Sequence, residues 1–231
     1  MKTIGLIGGM SWESTIEYYR ILNEIVKARA GGLHSAKILM LSVDFAEVEE
    51  MQRQGRWNDS ARFLAAAAQR LEAAGADFIL LGTNTMHKVA AEIEQSIHVP
   101  FLHIADPAGA AIRARGLRSI GLLATRFTME EDFYKARLAD RFQLQVLTPE
   151  SAEREIVHRV IYQELCLGKV LPGSKAQYLE IIQGMIDRGA EGIVLGCTEI
   201  GLLLQQTDVS VPLFDTTHIH AAAAVDYAMK G

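Results

Sequence analysis

Three short segments from the first half of the chain recur, in the same order, in the second half. Residues 2–6 match residues 118–122, residues 75–84 match residues 189–198, and residues 99–102 match residues 211–214. The offset changes only from 116 to 112 residues, which is about half of the chain. Three ordered matches at a nearly constant spacing are hard to obtain by chance. The sequence therefore predicts a duplicated fold whose halves are related by a pseudo-two-fold axis.

Short apolar segments alternate with longer stretches of helical periodicity. The apolar segments are rich in Ile, Val and Leu without regular alternation, which is typical of parallel strands buried on both faces. Predicted strands lie at residues 3–7, 37–41, 77–81, 100–104, 118–123, 143–147, 191–195 and 211–214. Predicted helices include residues 13–29, 60–74, 174–188 and 217–229. This order predicts an α/β protein with two similar four-stranded parallel sheets and an active site in the cleft between the halves.

No linker rich in proline, glycine or serine separates the two halves. The boundary between them is therefore placed from the order of the predicted strands and helices. We expect a first lobe over residues 1–105 and a second lobe over residues 106–215. The C-terminal helix, within residues 216–231, is expected to pack back on the first lobe.

Composition and charge argue against several classes of partner. The net charge of −5 gives no basic patch, which argues against nucleic acid. No apolar run approaches the ~18 residues that a membrane span needs. The N-terminus runs directly into a strand-like segment without the features of a signal peptide, so we expect a cytoplasmic location. With two cysteines, Cys166 and Cys197, a reactive thiol is a more natural interpretation than a structural disulfide.

Polar turns follow several predicted strands, at the edge where ligands of open parallel sheets bind. Gly8 and Gly9 follow the first strand, Thr83 follows the third, and Cys197 follows the matching strand of the second half. Free backbone N–H groups at a helix N-terminus bind anions, so two such turns are expected to hold a carboxylate between them. For the Gly8-Gly9 pair alone, a tight strand-to-helix turn is an equally good interpretation.

Cys197 occupies in the second half the place that Thr83 has in the first. A cysteine at a helix N-terminus can have a lowered pKa, which yields the thiolate that acts as a base or nucleophile. Lone cysteines are more often buried and inert, and we interpret Cys166 in that way. The polar flank formed by Thr198 and Glu199 favours a functional role for Cys197.

Other candidate residues are less specific. Two loops that precede corresponding helices carry Gln52 and Arg53 in the first half and Lys169 in the second, where a substrate wall is expected. His87 lies one helical turn after Thr83, but the histidines have no metal-ligand spacing with Cys, Asp or Glu. We therefore expect no metal site.

At these residues the sequence resembles the aspartate/glutamate racemase family, whose members need no pyridoxal phosphate. The resemblance covers the whole chain and rests on residues 8–10, 82–87 and 196–199. In that family two cysteines flank the α-carbon of the substrate; one removes the proton and the other delivers a proton to the opposite face. The resemblance implies that Cys197 is one of these groups and that Thr83 stands in place of the other cysteine.

The resemblance also implies the substrate contacts and the assembly. The α-carboxylate is expected near Asn84, Thr85 and Thr198, beside Glu199. Further residues expected to line the pocket are Met10, Gln52, Thr125 and Lys169. Aspartate racemases of the family tend to carry arginine near Gln52. The neutral amide of Gln52 therefore implies weaker binding of an acidic substrate side chain. A small amino acid is the expected partner, together with a second copy of the chain in a homodimer.

Four functions stay open on the sequence. The leading one is racemisation of aspartate or glutamate, with Cys197 as thiolate base and Thr83 as the proton donor on the opposite face. Broad-specificity racemisation of non-acidic amino acids is the first alternative. A one-cysteine decarboxylase of malonate-type acids is disfavoured by the motif at residues 83–85. A non-catalytic amino-acid-binding protein is disfavoured by the motif at residues 197–199.

Overall fold

The computed structural model describes residues 1–230, which form two compact units. One unit contains Met1–Ile104 and the chain from His220 onward, and the other contains Ala105–Ile219. Each unit has one four-stranded sheet in which all neighbouring strands are parallel. The predicted α/β class with two similar four-stranded parallel sheets is confirmed.

The first unit alternates strands with helices along the chain. Its strands are β1 (Ile4–Gly8), β2 (Ile38–Ser42), β3 (Phe78–Leu81) and β4 (Phe101–Leu102). Its helices are α1 (Trp12–Ala30), α2 (Phe45–Arg53), α3 (Trp57–Ala73) and α4 (Ala90–Gln95), with a 3-10 helix over Thr85–Val89. The strands lie in the order β2-β1-β3-β4.

The central strands β1 and β3 are buried on both faces, which explains why their sequences do not alternate. Successive residues enter two separate hydrophobic clusters. Leu6 and Leu80 pack with α1 and with residues 221–228 near the C-terminus. Ile7 and Leu81 pack with α2 and α3 on the other face. Burial of both faces fixes the strand register, because a shift by one residue would exchange the two clusters.

The second unit repeats this arrangement. Its strands are β5 (Ser119–Ala124), β6 (Gln145–Leu147), β7 (Ile193–Gly196) and β8 (Leu213–Asp215), in the order β6-β5-β7-β8. Its helices are α5 (Ala105–Ala114), α6 (Arg126–Glu130), α7 (Asp132–Phe142), α8 (Ser151–Gln163), α9 (Pro172–Asp187) and α10 (Ile200–Leu203). Helix α11 (Thr216–Met229) begins in this unit, and 3-10 helices span Leu165–Leu167 and Gln206–Asp208.

Both units use the same local structure at the approach to their third strand. After α3 and α9 come Gly75 and Gly189, with φ of 97° and 98°, a left-handed conformation that favours glycine. Two residues later, the carboxylates of Asp77 and Glu191 accept backbone N–H groups from just before β1 and from the first residue of β5. These bonds are 2.5 Å and 2.9 Å long. The duplication seen in the sequence therefore extends to individual hydrogen bonds.

All eight predicted strands are present, and their bounds agree with the prediction within about two residues. The helices predicted at residues 13–29, 60–74, 174–188 and 217–229 correspond to α1, α3, α9 and α11. Within residues 1–230, no helix combines the length and the apolar character that crossing a membrane requires.

Candidate active site

The turn after β1 is organised by side chains at the beginning of α1. Ser11 is the N-cap residue of this helix, and its hydroxyl accepts the Ser14 N–H at 3.4 Å. Thr15 Oγ1 donates to Ser11 O at 2.7 Å and accepts the Gly9 N–H at 2.8 Å. The expectation of free N–H groups in this turn is therefore wrong for Gly9, whose N–H is already bonded within the protein.

Glycine is required in this turn by the close approach of the backbone after β2. Gly9 has φ of 90°, and a Cβ atom there would lie 2.2 Å from Val43 O. The Val43 N–H donates to Gly8 O at 3.0 Å, which holds the two segments together. The tight-turn interpretation of the Gly8-Gly9 pair is confirmed.

The turn after β3 carries Thr83, whose exposure is 7%. Its backbone N–H donates to Leu81 O at 2.9 Å, so the chain bends sharply as it leaves the strand. Asn84 and Thr85 are buried beside it, and Thr85 begins the 3-10 helix. The three residues that the sequence predicts as one motif therefore lie together at the carboxyl end of β3.

A neutral histidine fixes the backbone of this turn. His87 is buried; its Nδ1 lies 2.7 Å from Thr83 O and its Nε2 lies 3.1 Å from Ile104 N. Because a backbone N–H can only donate, Nε2 carries a lone pair and accepts. Nδ1 then carries the proton and donates it to the Thr83 carbonyl, which can only accept. His87 is thus held as the neutral Nδ1–H tautomer.

Two further histidines of the first unit lie close to His87. The ring centroid of His103 is 4.3 Å from that of His87, and the ring centroid of His220 is 6.3 Å away. His220 Nε2 donates to Leu102 O at 2.8 Å, and its Nδ1 lies 2.8 Å from the Tyr18 hydroxyl. Sequence reasoning gave these histidines little weight. The available signal was that His103 directly follows β4 and that His87 lies one helical turn after Thr83.

The turn after β7 carries Cys197, a free and buried thiol. Its Sγ donates to Glu199 Oε2 at 2.9 Å, and Thr198 Oγ1 donates to the same oxygen at 2.9 Å. Glu199 is only 1% exposed, so its carboxylate is held inside the protein by its two neighbours. Sequence reasoning singled out Glu199 as a substrate contact, but did not foresee its hydrogen bond to the thiol.

The Cys197 thiol is not acidified in this turn, contrary to expectation. Burial raises the pKa of the Cys197 thiol well above its ordinary value, and the negative charge of Glu199 raises it further. The helix that follows, α10, has a single turn and supplies little dipole. The expectation of a lowered pKa at a helix N-terminus is therefore wrong for the resting protein, in which the thiol is protonated.

In the first unit, the remaining predicted contacts, Gln52 and Met10, are both buried. Gln52 is buried on α2, and its Nε2 donates to Met86 Sδ at 2.9 Å. Met86 belongs to the 3-10 helix that follows Thr83, so Gln52 reaches the same turn through one side chain. Met10 is buried in the hydrophobic cluster that contains Met86.

In the second unit, the two other predicted contacts have different surroundings. Thr125 is the buried N-cap residue of α6, with its Oγ1 3.3 Å from the Thr128 hydroxyl. Lys169 is exposed in the segment between the 3-10 helix Leu165–Leu167 and α9, and its backbone N–H donates to Glu164 O at 2.9 Å. Thr125 is thus a buried polar group, whereas Lys169 is exposed to solvent.

Solved structures and a curated relative place this fold among the amino-acid racemases. A crystal structure from Yersinia pestis, described as a "putative Asp/Glu Racemase", is 53% identical over the whole of both chains, with a TM-score of 0.92. A crystal structure of an aspartate racemase homologue from Pyrococcus horikoshii OT3 is 35% identical over the whole of both chains, with a TM-score of 0.85. The broad specificity amino-acid racemase RacX of Bacillus subtilis is 24% identical over 165 residues, 68% of this chain and 67% of that protein.

The class defined by the fold is therefore that of the amino-acid racemases, which are isomerases. Residues 7–224 match the family described as Asp/Glu/Hydantoin racemase, and the chain belongs to this family. The resemblance drawn from the strand-end motifs is confirmed at the level of the family.

Proposed function

We propose that this protein racemises a small amino acid, with Cys197 and Thr83 as the two groups that move the α-proton. The observation that carries the proposal is their equivalent position. Each residue follows the third strand of its unit, in sheets that have the same strand order. Both are almost buried, with exposures of 9% and 7%.

In this proposal, Cys197 removes the α-proton of the L-enantiomer and Thr83 donates a proton to the opposite face. The α-proton is weakly acidic, so the substrate carboxylate needs hydrogen-bond donors that stabilise the carbanion. Asn84, Thr85 and Thr198 are the residues proposed to supply them. A threonine hydroxyl is a poor base unless another group activates it, so Thr83 is the slower partner.

Unequal partners do not make the reaction run in one direction. Enantiomers have the same free energy in water, so kcat/KM is equal in both directions and a slow step at Thr83 slows both. Exchange of the α-proton with solvent needs only the base on one face. We therefore expect Cys197 to exchange the α-proton of an L-amino acid faster than the D-enantiomer appears.

Aspartate and glutamate are the proposed substrates. The likeness to an aspartate racemase homologue supports this choice, and the Lys169 ammonium group is suited to pair with a side-chain carboxylate. A broad-specificity racemase is the second candidate. It is favoured by the likeness to RacX and by the neutral amide of Gln52, which is buried and bonded to Met86.

A panel of L- and D-amino acids in D2O tests the proposal. α-Deuteration is followed by proton NMR, and inversion is followed separately by chiral chromatography. We expect α-deuteration of L-aspartate or L-glutamate to outpace inversion; comparable rates for neutral amino acids would favour the broad-specificity candidate. A panel without α-deuteration of any L-amino acid would overturn the proposed function.

The assembly and the location are further parts of the proposal. A homodimer and a cytoplasmic location stay predictions from the sequence, as do Met10 and Thr125 as pocket residues. Sedimentation equilibrium of the purified protein measures the first of these directly.

A further inference from the structure

The Glu199 carboxylate is positioned to receive the proton of the Cys197 thiol. Sγ lies 2.9 Å from Oε2, and the thiol is the donor because an ionised carboxylate can only accept. The Thr198 hydroxyl donates to the same oxygen. With only 1% of Glu199 exposed, the carboxylate is held in this orientation. The contact is therefore made with the atom that is proposed to react, and not with the backbone around it.

Two other titratable groups of the second unit interact with the Cys197 thiol. Tyr178 on α9 is buried, and its hydroxyl already donates to Val157 O at 2.9 Å. Burial raises the pKa of Tyr178 well above its ordinary value, and a negative charge on Cys197 would raise it further. Cys166, in the 3-10 helix Leu165–Leu167, is a second thiol. Phenols and thiols are ordinarily protonated near neutral pH, so the carboxylate is the group suited to take up a proton.

We infer that Glu199 is the proton acceptor behind Cys197, and that the thiol relays the α-proton to it; this rests on the proposed racemase function. As the α-C–H bond breaks, its proton forms a new S–H bond on Cys197. The proton already on sulfur leaves and forms an O–H bond on Glu199 Oε2. The electron pair of the broken C–H bond stays on the substrate as a carbanion stabilised by its carboxylate. Reversal of these transfers restores the resting pair, and solvent deuterium reaches the α-carbon when the relayed protons exchange with solvent before the return. When Thr83 supplies the proton instead, Glu199 releases its proton to solvent and Thr83 takes one up from solvent.

The relay makes a free thiolate unnecessary. Burial and the charge of Glu199 hold the pKa of the Cys197 thiol well above its ordinary value, so thiolate is scarce near neutral pH. In the relay, sulfur gains one proton as it loses another and does not carry a full negative charge. The rate of α-proton exchange is then expected to be nearly independent of pH between about 6 and 8.

The test compares the pH dependence of α-proton exchange in the wild type and in two variants. Glu199→Gln keeps the size of the side chain and an oxygen that accepts the S–H bond, but it cannot take up the proton. Glu199→Asp keeps the carboxylate on a shorter side chain. Glu180→Gln is the control for loss of one charge, because Glu180 lies exposed on α9. Deuteration of L-aspartate or L-glutamate in D2O is followed by proton NMR.

We expect flat profiles for the wild type, Glu180→Gln and Glu199→Asp, with Glu199→Asp about tenfold slower because the acceptor oxygen is withdrawn. In Glu199→Gln, the rate of α-proton exchange is expected to depend on the fraction of Cys197 that is ionised to thiolate. This rate should rise about tenfold per pH unit and lie about 100-fold below the wild type at about pH 6.5. Parallel profiles for the wild type and Glu199→Gln would overturn the inference. A higher exchange rate in Glu199→Gln than in Glu199→Asp would also overturn it. A purely structural role for Glu199 predicts that result, because Gln keeps the size of the side chain.

The wild-type profile tests the relay even if the Glu199→Gln protein does not fold. A wild-type exchange rate that rises steeply with pH would contradict the relay. Alkylation of Cys197 by iodoacetamide, separated from Cys166 by peptide mass spectrometry, gives a readout that needs no substrate. Its pH midpoint should fall in Glu199→Gln, because a negative neighbour is removed; an unchanged midpoint contradicts the coupling. A wild type that exchanges no α-proton marks failure of the proposed function, whereas exchange with parallel profiles marks failure of the relay alone.

Discussion

The turns after β3 and β7 have the same place in two duplicated units, yet they act on their key residues in different ways. His87, four residues after Thr83, donates to the backbone carbonyl of the threonine as a neutral group. Glu199, two residues after Cys197, accepts a hydrogen bond from the thiol of the cysteine. The first turn therefore fixes backbone geometry, whereas the second changes the chemistry of one atom. The duplicated units share the strand, and the residues that follow each strand make the two turns chemically different.

Removal of the Cys197 thiol, the reactive group of the second turn, should have the largest effect on α-proton exchange. In Cys197→Ser, we expect α-proton exchange in D2O to fall by more than about 10³-fold, because a hydroxyl gives up its proton far less readily than a thiol does. Cys166→Ser, which changes the other free thiol, should stay near the wild-type rate. Exchange that survives in Cys197→Ser would remove this residue from the proposed mechanism.

Loss of the His87 ring should destabilise the turn after β3 and leave the turn after β7 unchanged. His87→Ala leaves the Thr83 carbonyl and the Ile104 N–H without the ring that bonds them, inside a buried region. We expect the free energy of unfolding in urea to fall by about 2–4 kcal/mol. Inversion should also slow more than exchange at Cys197 does.

The matched control for this loss is His98→Ala, because the His98 side chain is 97% exposed. We expect it to change the free energy of unfolding by less than about 0.5 kcal/mol. Equal destabilisation by the two substitutions would show that the ring of His87 does not stabilise the turn.

A cysteine at position 83 should make the turn after β3 chemically similar to the turn after β7. In Thr83→Cys, inversion measured by chiral chromatography is expected to rise about tenfold, because a thiol donates its proton more readily than a hydroxyl does. Thr83→Ser, which keeps the hydroxyl, should change inversion much less. If the rate of Thr83→Cys equals that of the wild type, Thr83 is not the second proton donor.

The smallest expected effect concerns the carboxylates that precede the third strands. Backbone N–H bonds from Arg118 and Ser119 lower the pKa of Glu191 below its ordinary value near 4.5. A lowered pKa in the folded state stabilises the fold above the pKa of the unfolded state, and this contribution is lost as pH falls through the folded-state pKa.

Glu191→Gln should therefore lower the melting temperature slightly at neutral pH and less at about pH 3, because this contribution fades as the pH falls toward the lowered pKa of the carboxylate. Thermal unfolding followed by circular dichroism at both pH values measures the difference. Glu180→Gln, an exposed carboxylate on α9, serves as the control. An equal loss at both pH values would indicate that the charge of Glu191 is not involved.

Most of the fold could be predicted from the sequence, because buried parallel strands have a clear apolar signature. The prediction for β4 was longer than the observed Phe101–Leu102. Two residues beyond that strand, the Ile104 N–H bonds to His87 Nε2 instead of to a neighbouring strand. A contact between residues 17 positions apart has no periodic signal, so the sequence could not indicate it.

The sequence by itself determined the duplication, the strands and the equivalence of Thr83 and Cys197, because matching segments and apolar patterns are local properties of the chain. Only the tertiary structure decided the protonation states. The pKa of Cys197 depends on how completely packing excludes water and on the direction in which the Glu199 side chain points. Likewise, the tautomer of His87 depends on a backbone N–H that folding brings to its ring. The residues of the site are thus readable in the sequence, whereas their chemistry depends on burial and orientation.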